Sequence, residues 1–168
     1  MLKWLWLSGV VIAVDQITKW LSEGMLELYE SYSVLPYFNF TLARNEGAAF
    51  SLFSDAGGWQ IGFFATLATI VSLYIIYWLR KLKDDEVWTA VGLALVLGGA
   101  IGNLIDRLMH GYVIDFLDFY IEGVYRFATF NVADIGITMG AALLIIVSLF
   151  MDEPEVKGKI KEKEKSLP

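Results

Sequence analysis

Long apolar runs alternate with polar intervals along this chain. Four runs stand out, at about 4–22, 59–79, 88–108 and 131–151. Each is close to the roughly 20 residues that a helix needs to cross a bilayer. The first run is interrupted by Asp15-Gln16-Ile17-Thr18-Lys19. A cleaved signal peptide is the rival reading of that run, but it is long and no small-x-small site follows it, so it reads as a retained helix. Asp15 and Lys19 stand four residues apart and share a helix face. Either they pair with each other while Lys19 reaches toward the interface, or Asp15 turns into the bundle and supports a site. The second run carries no charge. The third holds Gly92, Gly98, Gly99 and Gly102, which allow close helix approach. Near its end Asn103, Asp106 and Arg107 fall at i, i+3 and i+4 on one face.

The intervals differ in kind. Residues 28–57 form a polar region in which Phe38–Ala43 and Ala48–Phe53 flank Arg44-Asn45-Glu46-Gly47. Alternating segments around an Asn/Gly turn predict a β-hairpin. Asn45 and Gly47 then have an ordinary explanation in turn chemistry. Residues 152–168 are a Lys/Glu-rich tail with the composition of a disordered segment. The chain is therefore one membrane domain, 1–151, followed by that tail.

Composition agrees with a membrane protein. Of 168 residues, 57% are hydrophobic, and the mean hydropathy of +0.55 is too high for an ordinary soluble domain. Six tryptophans suit interfacial belts. The net charge of −6, without a basic patch, speaks against a nucleic-acid partner. Lys3, Arg80, Lys81, Lys83, Lys157, Lys159, Lys161, Lys163 and Lys165 all fall on one side of a four-span layout. The bias of basic residues toward the cytoplasm places both termini there. The 28–57 region and Met109–Phe130 then face outward, and Asp115 and Asp134 lie near the outer interface.

The chemistry available is narrow. There is no cysteine and one histidine, His110, so neither a multi-His or Cys metal site nor a Cys nucleophile is available. The GGAIGN segment lies in mid-span and lacks the strand-to-helix context of a phosphate loop. Paired carboxylates remain. Asp115 and Asp134 sit at the margins of the third and fourth runs, beside Asn103, Arg107 and Asn131. Two neighbouring aspartates hold one proton between them. The ionised one takes a proton from water and the protonated one donates to a carbonyl, which is peptide hydrolysis without metal or cofactor. Each aspartate also has a plain reading: Asp115 as a loop residue, Asp134 as a first-turn acid favoured by the helix dipole. A different class of function, an ion- or proton-coupled transporter lined by Asp15, Asp106, Asp115 and Asp134, fits less well. No internal repeat is present and the acids gather toward one interface.

Five segments together carry a resemblance: Asp15-Gln-Ile-Thr-Lys19, Arg44-Asn-Glu-Gly-Ala-Ala-Phe50, Gly102-Asn-Leu-Ile-Asp-Arg107, Val113-Ile-Asp-Phe116 and Phe130-Asn-Val-Ala-Asp134. In this order, and with four spans, the chain resembles the bacterial lipoprotein signal peptidase (signal peptidase II) family. The resemblance implies an aspartyl endopeptidase of the inner membrane that cuts diacylglyceryl-modified prolipoproteins before the lipidated cysteine. It makes Asp115 and Asp134 the catalytic pair. It assigns Asp15, Lys19, Asn45, Gly47, Asn103, Asp106, Arg107, Asn131 and Ala133 to supporting the site or the substrate. It further implies a fold of four transmembrane helices with an extracytoplasmic β-cradle between spans 1 and 2. A short mobile extracytoplasmic helix, around Phe119–Phe127, is implied between spans 3 and 4. It implies membrane lipids as surroundings, no cofactor, a monomer, and inhibition by cyclic peptides such as globomycin.

Overall fold

The computed structural model describes residues 1–47, 58–121 and 123–150, apart from the side chain of Arg126. A 3-10 turn at Leu2–Trp4 leads into α1 (Leu5–Met25). Then come β1 (Ser31–Leu35), β2 (Phe38–Asn45), α2 (Trp59–Lys81), α3 (Val87–His110), β3 (Val113–Ile121), β4 (Tyr125–Arg126) and α4 (Val132–Phe150). Three of these helices, α2, α3 and α4, are long and apolar enough to cross a membrane. α1 has the length, but Asp15, Gln16 and Lys19 lower its apolarity. The protein is thus a mostly helical membrane protein with a small antiparallel sheet.

α3 is the central helix. α1, α2 and α4 all pack on it. With α2 it forms an apolar core of Ile75, Leu79, Ala90, Leu93 and Leu97. With α1 and α4 the contact is closer, because glycines remove the side chains. A Cβ on Gly98 would stand 2.7 Å from that of Val11, and one on Gly99 only 2.2 Å from the Ala133 carbonyl oxygen. One on Gly102 would meet Asp15 Oδ2 at 2.6 Å. Small residues that bring backbones together are the usual basis of helix association in lipid. The outward faces carry large apolar side chains such as Trp20, Leu73, Tyr77, Met139 and Leu149, all exposed. This is the inside-out distribution of a chain solvated by hydrocarbon.

The sheet has the order β1-β2-β3-β4, all antiparallel. Two expectations are corrected here. β2 runs on through Asn45, beyond the expected end at Ala43, and the hairpin partner that the described residues show is β1, before it in sequence. The reversal falls at Pro36-Tyr37, where Tyr37 takes φ +72°. The strand expected at 48–53 lies outside the described residues. The second correction concerns 119–127. Its described residues contain no helix; Val113–Ile121 is a strand paired with β2, and Tyr125–Arg126 pairs back onto it. Val113-Ile-Asp-Phe-Leu-Asp-Phe-Tyr-Ile121 is rich in β-branched and aromatic residues, which suit a pleated surface. Its Phe119 ring lies 4.8 Å from that of Phe38 across the strands.

Gly111 connects helix to sheet. It caps α3 in the left-handed region, φ +77°, and its N–H donates to the Arg107 carbonyl at 3.1 Å. Glycine adopts this conformation without Cβ strain. The chain therefore leaves α3 and enters β3 within a few residues, which sets Asp115 beside the end of α3.

The close packing yields a test. Gly99→Ala should destabilise the protein by about 1–3 kcal/mol, since Ala133 and the start of α4 must move. Gly62→Ala, where nothing lies within 4 Å of the added Cβ, should be neutral or slightly stabilising. Thermal unfolding in detergent compares the two; equal midpoints would refute the packing account.

Candidate active site

Asp134 is the third residue of α4. Its N–H donates to Asn131 Oδ1 at 2.9 Å, and its Oδ2 accepts from the Asn131 N–H at 3.2 Å. This reciprocal pair is a capping box, and it satisfies donors that a helix start leaves open. The plain reading of Asp134 as a first-turn acid is therefore correct as far as it goes. It does not account for the rest of the surroundings. Asp134 Oδ1 accepts from Asn103 Nδ2 at 2.8 Å, across from α3.

Asp115 lies on β3 and is 1% exposed. Its Oδ1 accepts from Asn131 Nδ2 at 2.7 Å and its Oδ2 from Asn45 Nδ2 at 3.0 Å. Asn131 thus touches both carboxylates, through its backbone N–H to one and its amide to the other. Asn45 does belong to a turn, since its Oδ1 accepts from the Gly47 N–H at 3.0 Å. That bond leaves its amide N–H free to point at Asp115. Burial pushes the Asp115 carboxyl up from its ordinary 3.8 to about 7, and the negative charge of Asp134 adds to the rise. The hydrogen bonds from Asn45 and Asn131 and the charge of Lys19 oppose it.

Beneath the pair lies a charged cluster. Lys19 is 1% exposed, and its Nζ lies 2.8 Å from Asp15 and 2.8 Å from Asp106. It also donates to Asn103 Oδ1 at 3.0 Å. Of the two readings left open by spacing, the bundle-facing one holds for both Asp15 and Lys19. Asp15 Oδ1 accepts from the Ala133 N–H at 2.8 Å, and Asp106 Oδ2 from the Ile114 N–H at 3.0 Å. Ala133 immediately precedes Asp134, and Ile114 immediately precedes Asp115. The cluster therefore holds the backbone beside each aspartate. Asp106 and Arg107 do not pair with each other at the helix end. Arg107 instead donates to the carbonyls of Asn103 at 3.2 Å and Gly47 at 3.0 Å, and lies 5.4 Å from the centre of the Phe64 ring.

A cavity of about 690 Å³ is lined by Asp134, while Asp115 stands behind Asn45 and outside its lining. Asp134, Asn103, Arg107 and Asn45 form its polar end; the remainder is mostly apolar, with Leu67 and Val71 from α2 and Met139 from α4, and includes Thr129 and Thr138. The candidate site residues named from sequence are joined by hydrogen bonds and ion pairs around the two aspartates. Sequence reasoning missed Gln16, whose Nε2 donates to Asp106 Oδ1 at 2.8 Å. Its position inside the polar interruption of the first run was the available signal. It also gave no role to Asp118, a second buried carboxylate on β3. His110 is exposed and lies against Tyr112, 5.7 Å between ring centres. Among the described residues no group of three His, Asp or Glu side chains is arranged to hold a metal ion.

The fold and this site define a class: a small helical membrane protein with paired, amide-clamped carboxylates at the end of its bundle. The profile of the family described as signal peptidase (SPase) II matches residues 7–150. The lipoprotein signal peptidase of Psychromonas ingrahamii is 50% identical over 149 residues, covering 89% of this chain and 86% of that one. That of Haemophilus ducreyi is 50% identical over 152 residues, covering 90% and 93%. A solved structure described as a bacterial membrane enzyme, at 2.3 Å, superposes with a TM-score of 0.76 at 32% identity, over 91% of this chain and 90% of that one. The chain belongs to the signal peptidase II family.

The raised Asp115 value has a consequence for stability. Between about 3.8 and 7 the folded protein holds a proton on this group that the unfolded chain has released. Its contribution is thus fully present below the lower value and is lost as pH rises through the upper one. Asp115→Asn removes the titration. The thermal midpoint of the native protein should fall between pH 5 and pH 8 more steeply than that of the variant. Parallel curves would show that Asp115 titrates normally.

Proposed function

We propose that this protein is a lipoprotein signal peptidase that works as an aspartyl endopeptidase, with Asp115 and Asp134 as its catalytic pair. One observation carries the reading: carboxylates from two separate elements share Asn131, and one of them, Asp134, lines a largely apolar cavity. Two carboxylates at one site hold a single proton and titrate as a unit. A water between them loses its proton to the ionised member as it attacks the peptide carbonyl. The protonated member donates to the carbonyl oxygen. The one-proton form is lost on the alkaline side of about 7, so turnover falls there.

The substrate proposed is a diacylglyceryl-modified prolipoprotein, cut before its lipidated cysteine. The relatives' names support a lipoprotein, and the cavity's apolar lining supports a substrate that arrives through the membrane. Each buried methylene contributes about 0.8 kcal/mol, so two acyl chains fix the depth of the adjacent bond. Positioning of that kind supplies a large part of a rate enhancement. Cyclic peptides such as globomycin are proposed to occupy the same place, and the protein to act as a monomer.

The bacterial inner membrane is the location proposed from the family, and the charge pattern supplies the orientation. Residues 1–151 form one domain of four spans, with α1 as the first and with both termini cytoplasmic. The sheet and the catalytic pair then lie at the outer interface, and 152–168 is a cytoplasmic tail. A reporter fused after Lys83 should be cytoplasmic and one inserted at Asp55 should be outside. Finding Asp55 inside would overturn the placement.

The activity is tested with one precursor prepared with and without its diacylglyceryl group, in liposomes. The lipidated form should be cleaved and the unmodified form scarcely touched; equal rates would point to an ordinary intramembrane peptidase. Asp115→Asn and Asp134→Asn should each abolish turnover while leaving the protein inserted. The double variant should be little worse than either single, because the pair acts as one unit. Near-normal turnover in either single variant would sink the catalytic assignment.

A further inference from the structure

We infer that Asp118 is a positioning residue that acts on the catalytic pair through the strand register, by pinning the β-bulge that brings Asn45 to Asp115. The inference rests on reading Asp115 as one of that pair. β2 and β3 pair as Asn39↔Asp118 and Phe40↔Leu117, then resume as Ala43↔Asp115 and Asn45↔Val113. Between Phe40 and Ala43 β2 advances by three residues while β3 advances by two. Thr41 and Leu42 together oppose Phe116, which is a bulge of one residue.

The extra residue decides which face Asn45 occupies. Side chains alternate across a strand, so a one-residue slip moves every later side chain to the other face. In a regular ladder Asn45 would share the face of Asn39 and Asp118. Asp115, an odd number of positions from Asp118, points to the opposite face. With the bulge, Asn45 crosses to the face of Asp115, and its amide reaches Oδ2 at 3.0 Å.

Asp118 holds the bulge in place. It is fully buried and accepts from Thr41 Oγ1 at 2.8 Å and from Asn39 Nδ2 at 3.4 Å. Thr41 is the first of the two bulged residues. It has one hydroxyl proton, and Ser31 Oγ on β1 lies 2.8 Å from the same oxygen. With that proton given to the carboxylate, the Ser31 hydroxyl becomes the donor to Thr41. Hydrogen bonds thus run from the edge strand through the bulge to Asp118. Pinning the register is the role that this geometry gives to Asp118.

The test uses the full chain in liposomes with lipidated precursor, and reads kcat, KM and the alkaline limb of the pH profile. Thr41→Val is close to isosteric and removes only the hydroxyl; Thr41→Ser keeps it. Thr41→Val and Asp118→Leu should lower kcat about fivefold to tenfold with KM within about twofold, the scale of one lost hydrogen bond. Both should move the alkaline limb upward in pH, as should Asn45→Ala, because the Asn45 bond lowers the Asp115 value. Thr41→Ser should restore the native profile. In an Asn45→Ala background neither change should have a further effect beyond about twofold. Multiplicative losses, an unmoved limb, or Thr41→Val matching Thr41→Ser would each overturn the proposal. Asp115→Asn run alongside separates the two readings. If it keeps turnover, the catalytic pair is wrong; if it is dead while the cycle is additive, only the register proposal fails.

Discussion

The arrangement depends on one buried ammonium. Lys19 stands between Asp15 and Asp106 at 2.8 Å from each, with Asn103 Oδ1 as its third acceptor. Away from water such a group persists only with paired charge and satisfied donors. Here its three donors meet three acceptors. Removing one member of a buried ion pair commonly costs about 3–5 kcal/mol, because the remaining charge has no partner. The cluster also has reach. Its two carboxylates extend to the N–H groups of Ala133 and Ile114, one residue before Asp134 and Asp115. A single cation on α1 therefore ties the start of α4 to the start of β3. α1 contributes no member of the proposed pair, yet its Asp15 and Lys19 help set where both members stand.

Such closeness requires the small residues of α3. Gly102 leaves room for the Asp15 carboxylate, and Gly99 for the Ala133 carbonyl. The glycines and the ion cluster are two halves of one solution, since the cluster forms only where the helix axes nearly touch.

The helices were legible from the sequence because hydrocarbon thickness imposes a length and a composition on any span. Expected spans at 59–79 and 88–108 became Trp59–Lys81 and Val87–His110. The polar positions inside them were legible for the same reason, since Asp15, Asn103 and Asp106 have no other purpose in an apolar run. The sheet was harder to read. Period-two patterns show that a strand exists, not which strand it meets. β2 could pair forward or backward, and Tyr37 at positive φ gave no Gly or Asn to mark the reversal. The 113–121 strand overlaps the start of the short helix that the family resemblance implies at 119–127. The bulge at Thr41-Leu42 was invisible, because no local residue pattern marks it and the bond that accompanies it, Thr41 to Asp118, is tertiary. Backbone donors such as Ala133 N–H and Ile114 N–H leave no trace in residue identity at all.

The three asparagines around the carboxylates have a property that their residue type alone would not grant. A side-chain amide is ambiguous, since its two ends exchange by a half-turn at little cost. Here each is held by a neighbour that only donates: Asn103 Oδ1 by the Lys19 ammonium, Asn131 Oδ1 by the Asp134 N–H, and Asn45 Oδ1 by the Gly47 N–H. None of these donors can become an acceptor. All three amides therefore present N–H to the carboxylates before any substrate arrives. Dipoles fixed in advance need no rearrangement as charge develops, whereas water would have to turn. The frozen half-turns of three asparagines make the end of this bundle a fixed polar solvent inside an apolar one.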